Sequence, residues 1–278
     1  MERLRANQTG TGSREFKLGH VYEAVLEPKT YLWISMALFL NIGASVSNVF
    51  GPLILQGLGY DTYTTTLLNM PFGAVQVIVI LVASYLAQKA RLKGIILAVL
   101  MLPVVAGLAI LYAVPRNSST NGALMAGYYL IAFLFGGNPL IVSWIVANTA
   151  GTTKKSANMS LYNAAVSAGN IIGPLLFNEK DAPAYKPGLR ACVGIFVALI
   201  AVFLLQWVDL WVLNKMQEKR RVRNGKPAKV VDVSMQSDRM MAIEQTLEAN
   251  GEEGQAHVGA NGLLDLTDGK NEDFVYVY

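Results

Sequence analysis

The 278-residue chain is 53% hydrophobic and only 15% charged, with a formal charge of +4. Its basic residues stand mostly beside long apolar stretches, which excludes nucleic-acid binding as the reason for the positive charge and indicates contact with anionic lipid. The single cysteine, Cys192, excludes an intrachain disulfide framework and a thiolate metal site.

Six apolar stretches fill most of the chain from Tyr31 to Leu213. A helix needs about 20 mostly uncharged residues to cross the roughly 30 Å of bilayer hydrocarbon. Because each stretch is close to that length, the sequence predicts an all-α integral membrane protein with six transmembrane helices. The predicted spans are Tyr31–Leu55, Thr66–Ala87, Gly94–Val114, Ala123–Ala147, Met159–Phe177 and Leu189–Leu213.

Lysines and arginines are distributed unequally between the two sides of these spans. Leaving aside Arg239 and Lys270 in the distant tail, one side carries seventeen of them, and the other carries only Arg116, Lys180, Lys186 and Arg190. Cytoplasmic loops of membrane proteins are enriched in basic residues. The sequence therefore predicts that both termini are cytoplasmic, and an even number of spans agrees with both lying on one side.

The polar ends complete a three-part organisation. Residues 1–29 are predicted to be a cytoplasmic lead-in, in which the apolar spacing from Phe16 to Leu26 predicts a surface helix. Residues 30–213 are the six-helix transmembrane bundle. Residues 214–278 begin basic, become acidic and have too little apolar content for a core, so we predict a disordered cytoplasmic tail.

The spacing of the spans suggests an internal repeat. Span centres near residues 43, 77 and 104 recur near residues 134, 167 and 201. Two successive units of three helices have opposite orientations in the membrane. This 3+3 inverted repeat is typical of secondary transporters.

Polar residues form stripes within four of the spans. Offsets of zero, four, seven and eleven place Asn41, Ser45, Asn48 and Pro52 on one helix face, and the same offsets relate Asn163, Ser167, Asn170 and Pro174. Asn69 and Gln76 lie on one face of the second span, and Trp144 and Asn148 on one face of the fourth, with a kink predicted at Gly136–Pro139. An amide that faces lipid lacks hydrogen-bond partners, so these faces are predicted to line a shared cavity or to join helices by hydrogen bonds.

Chemistry-bearing motifs are missing from the sequence. No Asp, Glu, Lys, Arg or His lies within the cavity-lining spans, Asp209 is near the cytoplasmic end of the sixth, and His20 and His257 lie in the lead-in and tail, where we expect them to be solvated. Zinc-ligand sets, nucleophile–base pairs, phosphate loops and dinucleotide fingerprints are also missing. We therefore predict that the protein is not an enzyme and has no cofactor or metal site.

Several sequence segments resemble one family. They include NVFGPLIL at Asn48–Leu55 and TTLLNMPFGAVQ at Thr65–Gln76, and then Ala126–Leu130, Asn148–Ser156, Gly169–Pro174 and Asp181–Tyr185. Together they resemble fungal allantoate permease-like transporters of the anion:cation symporter family, within the major facilitator superfamily, over residues 16–213.

This resemblance implies that the chain is the C-terminal half of a twelve-helix carrier, a truncated product or fragment. Spans one, two, four and five would then line the substrate site. One departure concerns the cytoplasmic gate after the second span, where Ser84 and Gln88 replace the Gly and the acidic residue common in the family. Lys89 and Arg91 of that loop remain, but the charge pair that would close the gate is in doubt.

The sequence thus predicts transport of a small organic anion, a ureide or carboxylated vitamin, across the plasma membrane. Asn41, Ser45, Asn48, Asn69, Gln76, Trp144, Asn148, Asn163, Ser167 and Asn170 would form one wall of the site. The other wall, the fixed positive charge and any proton site would come from a missing N-terminal bundle or a second copy of the chain. The alternatives are a six-span channel, a homodimeric carrier or a membrane protein without transport activity.

The predicted orientation can be tested at Ser118, in the loop between the third and fourth spans. A single cysteine there should react with an impermeant thiol reagent from outside the cell, because this loop is on the side poor in basic residues. Reactivity only from the cytoplasmic side would contradict the orientation.

Overall fold

The computed structural model of the chain describes residues 15–45, 51, 61–90, 92–116, 118–181, 184–226, 228 and 265–278. Regular structure in these ranges is entirely helical. The helices are α1 Leu18–Leu26, α2 Pro28–Ser45, α3 Thr62–Ala90, α4 Lys93–Ala113, α5 Asn121–Ile131, α6 Gly137–Ala147, α7 Thr152–Leu175 and α8 Lys186–Arg223, with short 3-10 helices at Ser118–Thr120, Ala132–Gly136 and Glu179–Asp181.

Four helical stretches are long and apolar enough to cross a membrane. They are Tyr63–Ala90, Lys93–Ala113, Asn121–Ala147 and Lys186–Arg223, which coincide with the second, third, fourth and sixth predicted spans. The first predicted span leaves the described residues after Ser45, apart from Gly51. The fifth is helical in α7, which is too polar to be counted with the four. The all-helical fold is confirmed for the described residues, whereas the count of six spans stays a prediction.

Interruptions of the helices follow glycine and proline. The 3-10 helix Ala132–Gly136 joins α5 to α6 at the predicted kink, where Pro139 has no backbone N–H to donate. Pro71 and Pro103 lie inside α3 and α4 without ending them. Helices in membranes tolerate such prolines because neighbouring groups satisfy the freed carbonyls.

Contacts divide the chain into two compact units. The terminal unit consists of Met1–Thr30, Ser143–Ser160 and Val208–Tyr278, and the bundle unit consists of Tyr31–Val142 and Leu161–Trp207. Helix α1 lies within the predicted lead-in, where it buries His20 and Ala24 and leaves Tyr22 and Leu26 exposed. Its contact with the membrane surface stays a prediction.

Small residues bring α4 and α5 close together in the bundle unit. A Cβ atom added at Gly107 would lie 2.5 Å from the carbonyl oxygen of Gly127, and one added at Gly127 would lie 3.0 Å from the carbonyl oxygen of Gly107. Close backbone approach of this kind is how membrane helices gain packing energy without a hydrophobic driving force. Beside this contact, Phe72 of α3 stacks on Tyr128 of α5 with ring centroids 4.7 Å apart.

The predicted disordered tail is wrong for the parts of residues 214–278 that the structure describes. Helix α8 continues to Arg223. Residues 265–278, here called the C-terminal segment, bury Asp268, Phe274 and Tyr276 almost completely. Its few apolar side chains cannot form a core of their own, but they pack within the terminal unit, and composition alone does not reveal that.

A glycine-to-alanine pair tests the α4–α5 contact. Gly107→Ala should lower the unfolding midpoint in detergent, because its methyl group meets a backbone carbonyl that cannot move aside, and overpacking typically costs about 1–3 kcal/mol. Gly194→Ala is the matched control, since nothing lies within 4 Å of the added Cβ on α8. Equal midpoints for the two variants would show that the close contact is not formed.

Candidate functional site

The polar stripe of α7 is open in the bundle unit. Asn163, Ser167 and Asn170 are exposed, although they are spaced on one helix face as predicted. Ser167 Oγ donates to the Asn163 carbonyl at 3.0 Å, and Asn170 Nδ2 donates to the Val166 carbonyl at 3.1 Å. Both bonds stay within α7, so the Ser167 hydroxyl and the Asn170 amide each keep hydrogen-bonding capacity for another partner.

Asn41 occupies a different environment. It is buried and pairs with Asn138 of α6, with amide-to-oxygen distances of 3.3 and 3.4 Å in the two directions. Tyr162 of α7 adds a third member, donating its hydroxyl to Asn138 Oδ1 at 2.8 Å. This network joins α2, α6 and α7, which is the helix-joining alternative predicted for such residues.

Asn69 of α3 is held from the side by an aromatic residue. Tyr128 donates its hydroxyl to Asn69 Oδ1 at 2.6 Å while its ring stacks on Phe72. The amide nitrogen of Asn69 is thereby oriented by a rigid neighbour, and the side chain remains partly exposed. Gln76 lies two turns further along α3 and is also partly exposed.

Trp144 and Asn148 contact the C-terminal segment in the terminal unit. Trp144 Nε1 and Asn148 Nδ2 donate to the Val277 carbonyl at 2.8 and 3.0 Å, and Asn148 Oδ1 accepts from the Val277 N–H at 2.7 Å. Both side chains are fully buried. The structure therefore places these two predicted cavity residues against the chain's own main chain.

Other predicted residues are described only in part. Asn48 and Arg91 lie outside the described residues, as does the side chain of Ser45. In the predicted gate, Ser84, Gln88 and Lys89 are exposed at the end of α3, and the Lys89 ammonium lies 5.9 Å from the centre of the Tyr85 ring.

The terminal unit also contains a buried charge cluster. Its members come from the lead-in, the start of α7 and the C-terminal segment: Glu23, Glu27, Lys29, Lys154 and Asp268. Asp268 bridges the two lysines, pairing with Lys29 and lying 2.9 Å from Lys154 Nζ. Lys154 also contacts Glu23 at 2.8 Å and Glu27 at 2.6 Å. The side chains of both lysines and Asp268 are completely buried.

The charges in this cluster shift one another's proton affinity. Burial alone would raise the pKa of Asp268, but Lys29 and Lys154 outweigh it and lower that pKa to about 2. For Lys154, burial lowers the pKa, and the charges of Asp268 and Glu27 more than reverse this. Burial raises the pKa of Glu27, with Lys29 opposing and the charge of Asp268 adding to the increase. Lys154 and Asp268 are therefore held in their charged forms.

Sequence reasoning missed this cluster, and it misplaced His20, which is buried and not solvated. A useful signal was present in the last five residues, where Phe274, Tyr276 and Tyr278 alternate with valine after a polar stretch. Gly151 is a second signal, since its φ of +85° favours glycine and its Cα lies beside the His20 ring. Within the described ranges, no group of His, Cys, Asp and Glu could hold a metal ion.

Comparison with known proteins identifies similar chains. The profile of the Major Facilitator Superfamily matches residues 2–174. The chain is 34% identical over 218 residues to the MFS-type transporter cnsL of Penicillium expansum, covering 77% of this chain and 44% of that protein. It is 29% identical to the uncharacterized transporter C757.13 of Schizosaccharomyces pombe, covering 99% of this chain and 47% of the relative.

The allantoate permease of Saccharomyces cerevisiae is 28% identical over 242 residues, which cover 80% of this chain and 41% of the permease. The chain thus spans less than half the length of these relatives. No solved structure matches it.

Proposed function

Because the chain belongs to the major facilitator superfamily, we propose that it forms the C-terminal half of a secondary transporter that carries a small organic anion by alternating access. It contributes one wall of the substrate site through polar residues of α3 and α7. Six transmembrane helices, with both termini in the cytoplasm, make up this half. Proteins named as transporters among the relatives also favour a role other than that of an enzyme.

The open stripe of α7 is the observation that supports this function most directly. Asn163, Ser167 and Asn170 present hydrogen-bonding groups on a helix that is predicted to lie in the membrane. Such a face is unfavourable against lipid and requires protein or water beside it. Asn69 and Gln76 of α3 are partly exposed and supply further amide groups to the same proposed wall. Asn41 is assigned to helix packing, because its partners are Asn138 and the helix backbone.

The proposed substrate class follows from these donors and from the relatives. Amide N–H groups donate well to carboxylate and ureide oxygens, and one relative is named allantoate permease. The predicted cavity-lining spans carry no fixed positive charge, so the partner bundle would supply it together with any proton site. That bundle is either an N-terminal half of the kind found in longer carriers or a second copy of this chain, at the plasma membrane.

Reconstituted vesicles provide the test of this function. The chain alone should show no saturable, proton-dependent uptake, because alternating access requires a second bundle to move against. A joined transporter, in which this chain follows the first six helices of the S. cerevisiae allantoate permease, should take up allantoate or another ureide or carboxylated vitamin.

Robust uptake by the chain alone would instead indicate a homodimeric carrier. A joined transporter that folds but carries none of these anions would contradict the proposed substrate class.

The α7 stripe can be tested in the joined transporter by Asn170→Ala. This change should raise KM for the anion several-fold and leave the unfolding free energy within about 0.5 kcal/mol, since Asn170 bonds only to its own helix among the described residues.

Asn41→Ala is the matched control for that experiment. It breaks a buried network, so it should cost about 0.6–1.7 kcal/mol of stability with little change in KM for the protein that remains folded. Detergent unfolding and uptake kinetics measure the two quantities. Equal losses of stability with unchanged KM at both positions would show that Asn170 is not part of the substrate site.

A further inference from the structure

We propose that the C-terminal segment is an autoinhibitory latch. When docked, it occupies the hydrogen-bonding groups of Trp144 and Asn148, and it must leave before these side chains can contact a transported anion. The effect on transport rests on the proposed function. Docking itself involves the terminal unit alone.

The main chain of Val277 acts as the ligand in this contact. Its carbonyl accepts from Trp144 Nε1 at 2.8 Å and from Asn148 Nδ2 at 3.0 Å, and its N–H donates to Asn148 Oδ1 at 2.7 Å. The Val277 N–H and carbonyl belong to adjacent peptide groups and together present one donor and one acceptor, the same kinds of group that an amide or ureide presents. Because both receiving side chains are fully buried, a second ligand and the docked segment cannot occupy them together.

Asp268 fixes the other end of the segment. Its carboxylate pairs with Lys29 and Lys154 and accepts from the Ala150 N–H at 3.2 Å and from the Tyr276 hydroxyl at 3.0 Å. Between these ends, Asn214 of α8 donates to the Tyr276 carbonyl and accepts from the Tyr276 N–H, both at 2.8 Å. The segment is thus held by specific hydrogen bonds and ion pairs at several positions.

The docking site retains paired charges without the segment. Lys154 would still contact Glu23 and Glu27, and Lys29 would still lie 3.2 Å from Glu27. Two ammonium groups would then face two carboxylates. Release of the segment therefore leaves no buried charge without a partner, a state that would be strongly unfavourable. A switch needs both of its states to be tolerated, and this cluster meets that requirement.

Thiol labelling measures docking in the full chain. Cys192 is replaced by Ala, and Val277→Cys supplies one thiol that keeps the main-chain bonds and is shielded while the segment is docked. Asp268→Asn should then accelerate labelling by about tenfold or more, since it removes one partner of a buried ion pair. Glu218→Gln is the control; it breaks a more exposed ion pair with Lys215 and should leave the rate unchanged.

A milder variant covers the case in which Asp268→Asn fails to fold. Trp144→Phe keeps an aromatic ring but removes the indole N–H that donates to Val277 together with part of the buried ring, so labelling should rise several-fold with helical content unchanged. Labelling that is equally slow in Trp144→Phe and in any folded Asp268→Asn protein would show that these contacts do not hold the segment, and would overturn the latch.

Uptake measurements distinguish a segment that inhibits transport from one that only stabilises the fold. Per molecule of joined transporter, Asp268→Asn should raise uptake at low substrate concentration several-fold. Faster labelling with equal or lower uptake would overturn the inhibitory role. If neither form carries an anion, the proposed function fails and the inhibitory role with it, while the labelling ratio still reports docking.

Discussion

Two lysine ammonium groups withdrawn from water determine how the terminal unit is organised. Lys29 and Lys154 are completely buried, and a buried cation is tolerated only beside compensating anions. Glu23 and Glu27 reach them from the lead-in, and Asp268 reaches them from the far end of the sequence. The need to pair these charges therefore brings together three stretches that are distant in the chain, and the hydrogen bonds to Tyr276 and Val277 follow from that arrangement.

In the bundle unit, amide groups are satisfied in two different ways. Asn41, Asn138 and Tyr162 satisfy one another and join three helices. Asn163 and Asn170, by contrast, lie on an exposed face whose hydrogen bonds stay within α7. The same residue type thus stabilises the fold at one position and stays available for a ligand at another. What differs is whether a neighbouring helix covers the side chain.

This difference also separates what could be predicted from the sequence from what could not. Helices were predictable because apolar run length is a local property, and the 3-10 interruption at Gly136 was predictable from glycine and proline. Asn41 and Asn163 begin identical offset patterns, yet the packing of α6 and α7 against α2 buries the first and leaves the second exposed. Likewise, Lys154 was counted as a marker of orientation, and nothing near it in the sequence indicates Asp268, 114 residues later, as its partner. Contacts between residues far apart in the chain leave no periodic pattern in the sequence from which they could be predicted.

The charge cluster contains three carboxylates and only two ammonium groups. The contribution of Asp268 to the raised pKa of Glu27 exists only while the C-terminal segment is docked. Docking and protonation of Glu27 therefore favour each other, so a fall in pH through the raised pKa of Glu27 strengthens docking. Below the ordinary pKa of Asp268 the sign reverses, because that carboxylate must remain ionised to pair with the lysines. With three carboxylates and two ammonium groups, one carboxylate has no cation of its own while the segment is docked, and this imbalance couples docking to the protonation of Glu27.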